Sequence, residues 1–213
     1  MKPHGIELRL GINEYREDLE NAKEVCTEPR LVACFGGSSI SPETANGKAA
    51  TELARRLAKA GICIISGGGD GIMSAANEGA YEVSPDSSYG LRVNSIQRTN
   101  DKNSLVIEER NVFNFNTLSL RLLTLISSSD EVVFFPGGFG TLEEAFSLLV
   151  RVKLKMMERI PIFFYNSKFW IGLYTWLRDS VIQVGAITPN ELDLITIEDS
   201  IDIIADKIIE QIP

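Results

Sequence analysis

The sequence predicts an α/β protein, a Rossmann-like doubly wound parallel sheet in a three-layer α/β/α arrangement. Three observations carry that expectation. Short apolar runs alternate with longer amphipathic segments along the whole chain. Most of the short runs are apolar throughout, as strands covered on both faces are. Three of them end in glycine-rich turns, at residues 36–37, 67–71 and 137–140. In open parallel sheets, ligands bind beyond the carboxyl ends of the strands, where these turns would converge.

The elements follow in order. Residues 13–25 read as an acidic leading helix with Asn13 as its N-cap. "RLVACFGG" (30–37) is a strand that ends in glycines. Residues 41–61 form the next helix, with Ser41 to cap it, Pro42 in its first turn and Gly61 at its stop. "ICIIS" (62–66) is a continuous apolar strand, followed by "GGGDG" and a second helix through "IMSAANEGA". "YGLRVN" (89–94) alternates as a strand does, and a polar loop covers 95–104. The spacing predicts a helix over 112–129, the strand "EVVFF" (131–135), a helix over 141–158 and the strand "IPIFFY" (160–165). Further helices are expected over 170–185 and 199–212, the last opened by a capping aspartate. No repeat or low-complexity linker interrupts the pattern. The chain reads as one domain over 1–213, with 1–28 as an N-terminal helical extension.

Composition narrows the function. The 213 residues are 44% hydrophobic and 23% charged, ordinary for a globular protein, and the formal charge is −8. An acidic balance argues against a general nucleic-acid or anionic-membrane binder, both of which need a basic surface. The three cysteines (Cys26, Cys34, Cys63) form no CxxC pair, and the one histidine is His4, so no Cys/His metal site is expected. Catalysis would have to use carboxylates, arginine or lysine. Cys34 and Cys63 lie in apolar runs and read as buried thiols, which points to a cytoplasmic protein. The amino terminus lacks the apolar stretch of a signal peptide, and no run is long enough to span a membrane.

Two constellations carry chemistry. In "FFPGGFGTLEEAF" (134–146), Gly137, Gly138 and Gly140 bare the backbone at a helix start, and Thr141 adds a hydroxyl. Such a start is a cradle for phosphate. Thr141 and Glu144 equally match the T-x-x-E pattern of a capping box, in which both side chains merely satisfy the helix end. The "GGGDG" turn (67–71) is a second anion-binding candidate, although the Asp70 carboxylate would repel a phosphate unless turned away. It does not match GxGxxG, so a dinucleotide is not favoured. Arg121 interrupts the apolar stretch "LSLRLLTLI". It either snorkels to the edge of its helix or aims into the pocket at a phosphate or a carboxylate.

"SGGGDGIM" and "PGGFGTLEE" resemble the GGGxxGxM and PGGxGTxxE motifs of the LOG ("lonely guy") family, often labelled lysine decarboxylase-like. The resemblance runs from Val32 onward, through "FGGSS" early and "FWIGLYTWL", "GAIT" and "LDLITIEDS" late, and the late part looks like the family's longer bacterial branch. The family's known members are cytokinin riboside 5′-monophosphate phosphoribohydrolases. The resemblance implies hydrolysis of the N-glycosidic bond of a nucleoside 5′-monophosphate, AMP or a cytokinin riboside monophosphate, with no metal or organic cofactor. It implies Glu144 and Arg121 as catalytic residues, and Gly137, Gly138, Gly140 and Thr141 as phosphate contacts. Gly37, Ser38, Gly67, Gly68, Gly69 and Met73 would line the nucleotide, and the protein would be a homodimer. The chain departs from the pattern in four places: Leu122 replaces a lysine after the arginine, "LSL" stands before it, Asp70 stands where longer members often have proline, and 95–103 lacks an LPxEQ-like run. Two other readings stay open, a non-catalytic carrier of a nucleotide or of molybdenum cofactor, and a DNA-processing Rossmann-like protein. The acidic charge disfavours the last. A lysine decarboxylase would need pyridoxal phosphate on a lysine, and neither glycine motif contains one.

Overall fold

The computed structural model describes residues 10–27, 30–94 and 106–211. Its centre is a seven-stranded sheet in the order β4-β3-β2-β1-β5-β6-β7, with every pair parallel. The strands are β1 (Leu31–Phe35), β2 (Cys63–Ser66), β3 (Ser88–Val93), β4 (Val112–Phe115), β5 (Glu131–Phe134), β6 (Ile162–Tyr165) and β7 (Thr196–Glu198). The helices are α1 (Ile12–Val25), α2 (Ala45–Lys59), α3 (Ile72–Tyr81), α4 (Leu118–Ser127), α5 (Phe139–Lys153), α6 (Ser167–Trp176), α7 (Pro189–Leu192) and α8 (Ile201–Ile209). The predicted doubly wound fold is the observed one.

Two apolar cores flank the sheet, because inward residues of each buried strand alternate between its faces. Ala33, Phe35, Val132, Phe134 and Phe164 face α4, α5 and α6. Val32, Cys34, Val133 and Phe163 face α2, α3 and α8. Register across the central strands pairs Phe35 with Phe134 and Phe134 with Phe164. Their rings stack at 5.0 Å each, and Trp170 closes the row edge-on to Phe164 at 4.8 Å. This ladder pins β1, β5 and β6 side by side under the glycine turns. Cys34 is fully buried, and burial pushes its thiol up to about 12. It is an inert core residue.

The connections after β1 and β2 run over one face of the sheet, and those after β4 and β5 over the other. The reversal falls between β1 and β5, so a crevice opens there at the carboxyl ends of the strands.

Several boundaries differ from the sequence reading. The segment expected as one helix over 112–129 is β4 followed by α4. Thr117 makes the break, its side chain accepting from Leu120 N at 3.2 Å. Edge strand β7 has only three residues and gave no periodic signal. Helix α2 starts after Thr44 rather than Ser41, α1 after Gly11 rather than Asn13, and α8 is capped by Ser200 rather than by an aspartate. Helix α6 ends at Trp176 in a π-helical turn over Leu177–Val181. The polar loop at 95–104 lies outside the described residues.

Helix α1 packs Val25 into the core and is tied to the β4–α4 junction by the buried Asp18. Asp18 is fully buried and accepts from Asn116 N at 2.7 Å, Thr117 N at 2.9 Å and Thr117 Oγ1 at 2.6 Å. A carboxylate thus sits at the amino end of α4, where the backbone donors and the helix dipole favour negative charge. Asp18→Ala would strand these donors in the interior. It is expected to lower stability by roughly 2–4 kcal/mol in urea unfolding. An unchanged midpoint would show that α1 does not anchor α4.

Candidate functional site

The three glycine turns meet where the sheet reverses. Gly37 N donates to Pro136 O at 3.0 Å and Gly37 O accepts from Ile72 N at 3.3 Å, so the β1 turn is bonded both to the β5 turn and to the start of α3. Gly71, at φ +72°, makes the close approach possible. A Cβ there would lie 2.3 Å from Gly37 O, and the left-handed backbone suits glycine alone.

In "PGGFG" the glycines divide by role. A Cβ on Gly137 would lie 2.1 Å from Thr141 Oγ1 and 2.9 Å from Gly37 N, so Gly137 is required for packing. A Cβ on Gly138 or Gly140 would meet nothing within 4 Å. Their bareness serves the open space instead. A cleft of about 290 Å³ begins there, walled by Gly37, Ser38, Met73, Gly138, Gly140 and Thr141, with Arg121 and Glu144 at one end. The α5 amino end faces into it with backbone donors that the helix leaves unpaired.

The capping-box reading of Thr141 and Glu144 does not hold. The residue that flanks α5 is Gly138, and no side chain caps the helix. Thr141 is therefore inside the first turn and buried, and Glu144 lies one turn further on. Freed from capping, the Glu144 carboxylate takes Oε1 to within 3.2 Å of Arg121 Nη1. The two side chains are 14% and 9% exposed, which makes this an internal ion pair rather than a surface one.

Arg121 reaches the cleft from α4 because its Nε donates to Leu91 O at 3.1 Å, which fixes the guanidinium plane. Gly67 clears its path: a Cβ there would overlap Arg121 Nη2 at 1.6 Å. Burial dominates the electrostatics of both partners. It pushes the Glu144 carboxyl up to about 7, against the opposing pull of Arg121, and it pulls the Arg121 guanidinium below its usual range although Glu144 acts the other way. Arg121 thus orients Glu144 without holding it fully ionised at neutral pH. A carboxyl group that titrates near 7 beside a fixed cation is suited to proton transfer.

The sequence-predicted residues are only partly brought together. Arg121, Glu144, Gly37, Ser38, Met73, Gly138, Gly140 and Thr141 line the cleft. Gly67, Gly68, Gly69 and Gly137 are not in its wall; Gly67 and Gly137 act by making room for Arg121 and Thr141. Asp70 lines an adjoining cavity of about 470 Å³ with Ser38, Ser39, Ser74 and Glu78, away from the α5 cradle. Sequence reasoning placed Gly36 in a turn at the site edge without giving it a contact, and missed Ser39 and Phe139. Both Gly36 and Ser39 lie in "FGGSS" beside Gly37 and Ser38, a signal that was present. Phe139 is 92% exposed at the cleft mouth, and nothing in "PGGFG" distinguishes it from a core aromatic. Among the described residues no group of three His, Cys, Asp or Glu side chains is placed to hold a metal ion, and no helix is long and apolar enough to cross a membrane.

Known proteins resemble the chain in sequence and in fold. The chain is 26% identical to a probable cytokinin riboside 5′-monophosphate phosphoribohydrolase of Oryza sativa subsp. japonica, over 84% of this chain and 83% of that protein. It is also 26% identical to a cytokinin riboside 5′-monophosphate phosphoribohydrolase of Arabidopsis thaliana, over 76% and 69%. Among solved structures, the molybdenum cofactor binding protein of Rippkaea orientalis matches with a TM-score of 0.60 at 19% identity, over 88% of this chain and 99% of that one. DNA processing protein A of Helicobacter pylori matches with a TM-score of 0.59 at 17% identity, over 88% and 83%. At such identities the structural matches speak to the fold alone. The family model described as possible lysine decarboxylase matches residues 73–208, from Met73 of the first glycine motif through α8, and the chain therefore belongs to that family, the LOG family.

Proposed function

We propose that the protein hydrolyses the N-glycosidic bond of a nucleoside 5′-monophosphate, releasing the free base and ribose 5-phosphate. The observation that carries this reading is the buried Arg121–Glu144 pair at one end of a cleft whose wall is the bare amino end of α5. The 5′-phosphate would accept from the backbone at Gly138 and Gly140 and from Thr141, and serve as a handle that sets C1′ against Glu144. As the C1′–N bond breaks, its electron pair leaves with the base and positive charge develops on the ribose ring. The Glu144 carboxylate would stabilise that charge and take a proton from the attacking water, whose oxygen bonds to C1′; the base takes up a proton on leaving. The relatives named as phosphoribohydrolases, each 26% identical to the chain, support the reaction class.

A non-catalytic nucleotide or molybdenum-cofactor carrier is the second reading. It is favoured by Leu122, an apolar core residue where the family has a lysine. Mass spectrometry of the protein as isolated separates the two: a retained pterin supports a carrier, and an empty protein that turns over nucleotides supports the enzyme.

A homodimer is part of the proposal. Phe139, Phe146 and Val150 are exposed along α5 and Leu154 at its C-cap, and Leu118 and Leu123 are exposed on α4. A second copy would cover this apolar face and border the cleft mouth. Sedimentation at micromolar concentration should give twice the chain mass of 23.5 kDa; a monomer would remove this part of the proposal.

The catalytic claim predicts that Glu144→Gln folds, binds nucleotide and loses about 10²- to 10⁴-fold in base release. Glutamine keeps an acceptor for Arg121, so the melting temperature should move little. Wild-type turnover in this variant would sink the assignment. The pH profile follows from the raised Glu144 value. Below about 7 the carboxyl is protonated and cannot accept the water proton, so the rate should rise as pH passes through about 7 and level off above it. Glu144→Gln should abolish that inflection in whatever rate remains.

A further inference from the structure

Arg121 rests on two supports that belong to different strands. Its Nε donates to Leu91 O in β3, and its Nη2 lies against Gly67 in the turn after β2. Strands β2 and β3 are paired from Ile64 with Ser88 to Ser66 with Gly90. Beyond Ser66 the chain leaves the sheet, and Gly68 takes a left-handed backbone at φ +59°. The ladder therefore does not set the distance between the two supports.

A buried side chain spans that gap. Asn77, on α3, is fully buried, as are Ser66 and Ser88. On one side, Ser66 Oγ donates to Asn77 Oδ1 at 2.5 Å and accepts from Gly68 N at 3.0 Å. On the other, Asn77 Nδ2 donates to Ser88 Oγ and to Tyr89 O, each at 3.0 Å. Ser88 Oγ donates in turn to Val106 O at 2.7 Å. Every donor in this network has an acceptor, and only an amide at position 77 can accept from Ser66 while donating twice to β3. An aspartate there would set a carboxylate oxygen against Tyr89 O. None of the three side chains lines the cleft, so contact with a ligand does not account for them. What they join is the glycine turn and the strand between which Arg121 is held.

We propose that Asn77, acting through Ser66, is a positioning residue for the Arg121–Glu144 pair: it fixes the Gly67–Gly68 turn against β3 and so sets where the guanidinium stands relative to the carboxyl group. The inference deepens the proposed function, and its consequence for turnover rests on that reading. The charged groups that act on Glu144 are Arg121 from α4 and Glu143 on its own helix. The other elements at the cleft bring Met73 from α3 and Ser38 and Ser39 from the β1 turn, none of them charged. Burial is the largest influence on the carboxyl group, and Arg121 opposes it. A turn released from Ser66 would draw back from Arg121 Nη2 and admit water beside the pair, while the guanidinium could still follow the carboxylate. Less burial moves the Glu144 midpoint down, toward the ordinary carboxylate range.

Carbon-13 NMR of the glutamate carboxyl groups reads the Glu144 midpoint in the protein without substrate; its signal is the one that Glu144→Gln removes. Wild type should titrate at about 7. Ser66→Ala takes away the acceptor of Gly68 N and should lower the midpoint by about half a pH unit or more. Asn77→Leu, similar in volume, removes both arms of the network and should lower it at least as far. Ser66→Cys keeps a weak acceptor and should fall between wild type and Ser66→Ala, and it decides the matter if the other two variants do not fold. Leu57→Ala opens a cavity in the core on the face opposite α4, so it costs stability but should leave the midpoint at the wild-type value. Equal midpoints in wild type and the folded network variants, or an equal fall in Leu57→Ala, would overturn the proposal. Turnover is a separate reading. Base release by Ser66→Ala should lose about tenfold in kcat with KM within about twofold, and its pH inflection should follow the NMR midpoint. An inflection left at about 7 in that variant would contradict the role given to Asn77. If wild type releases no base from any nucleotide, the hydrolase reading fails, and the NMR midpoints alone decide for or against the positioning role.

Discussion

The cleft depends on keeping Arg121 buried and opposite Glu144. Each ion alone would be expensive in the interior, and the single contact at 3.2 Å does not by itself cancel the desolvation of both. The directions of their ionisation say so: burial moves Glu144 and Arg121 each toward its neutral form, with the partner only opposing. Such a pair persists because the surroundings hold it. Leu91 O takes the Arg121 Nε, Gly67 leaves room for the guanidinium, and Asp18 fixes the amino end of the helix that carries Arg121. Removing any of these supports should act on the carboxyl group at the far end of the chain of contacts.

A second constraint is the close approach of three strand ends. The β1 turn is hydrogen-bonded on both sides, to Pro136 and to Ile72, and neither approach tolerates a side chain at Gly71 or Gly137. The stacked Phe35, Phe134 and Phe164 hold the same strands in register from below. Rigid architecture and open binding surface are thus made from one kind of residue. Gly71 and Gly137 are glycine because something is too near. Gly138 and Gly140 are glycine beside empty space, which is where a phosphate would lie.

Most of the architecture was legible because buried parallel strands read as uninterrupted apolar runs. Strand β4 was not, since Val112–Phe115 continues almost without a break into the apolar α4, and one threonine cap decides where the backbone changes. The cleft was legible as a set of residue types but not as a set of roles. T-x-x-E describes a capping box and a buried acid equally well; the choice turns on Gly138 starting the helix, which places Thr141 inside it.

The central claim is geometric: a nucleoside monophosphate held by its phosphate at α5 presents C1′ to Glu144. A crystal structure of Glu144→Gln with AMP measures it most directly, because the variant should bind without turning the ligand over. The account predicts phosphate density against the backbone of Gly138 and Gly140 and Thr141 Oγ1, with C1′ within contact of residue 144 and Arg121 still donating to that side chain. A phosphate bound elsewhere, or a ribose turned away from residue 144, would contradict it.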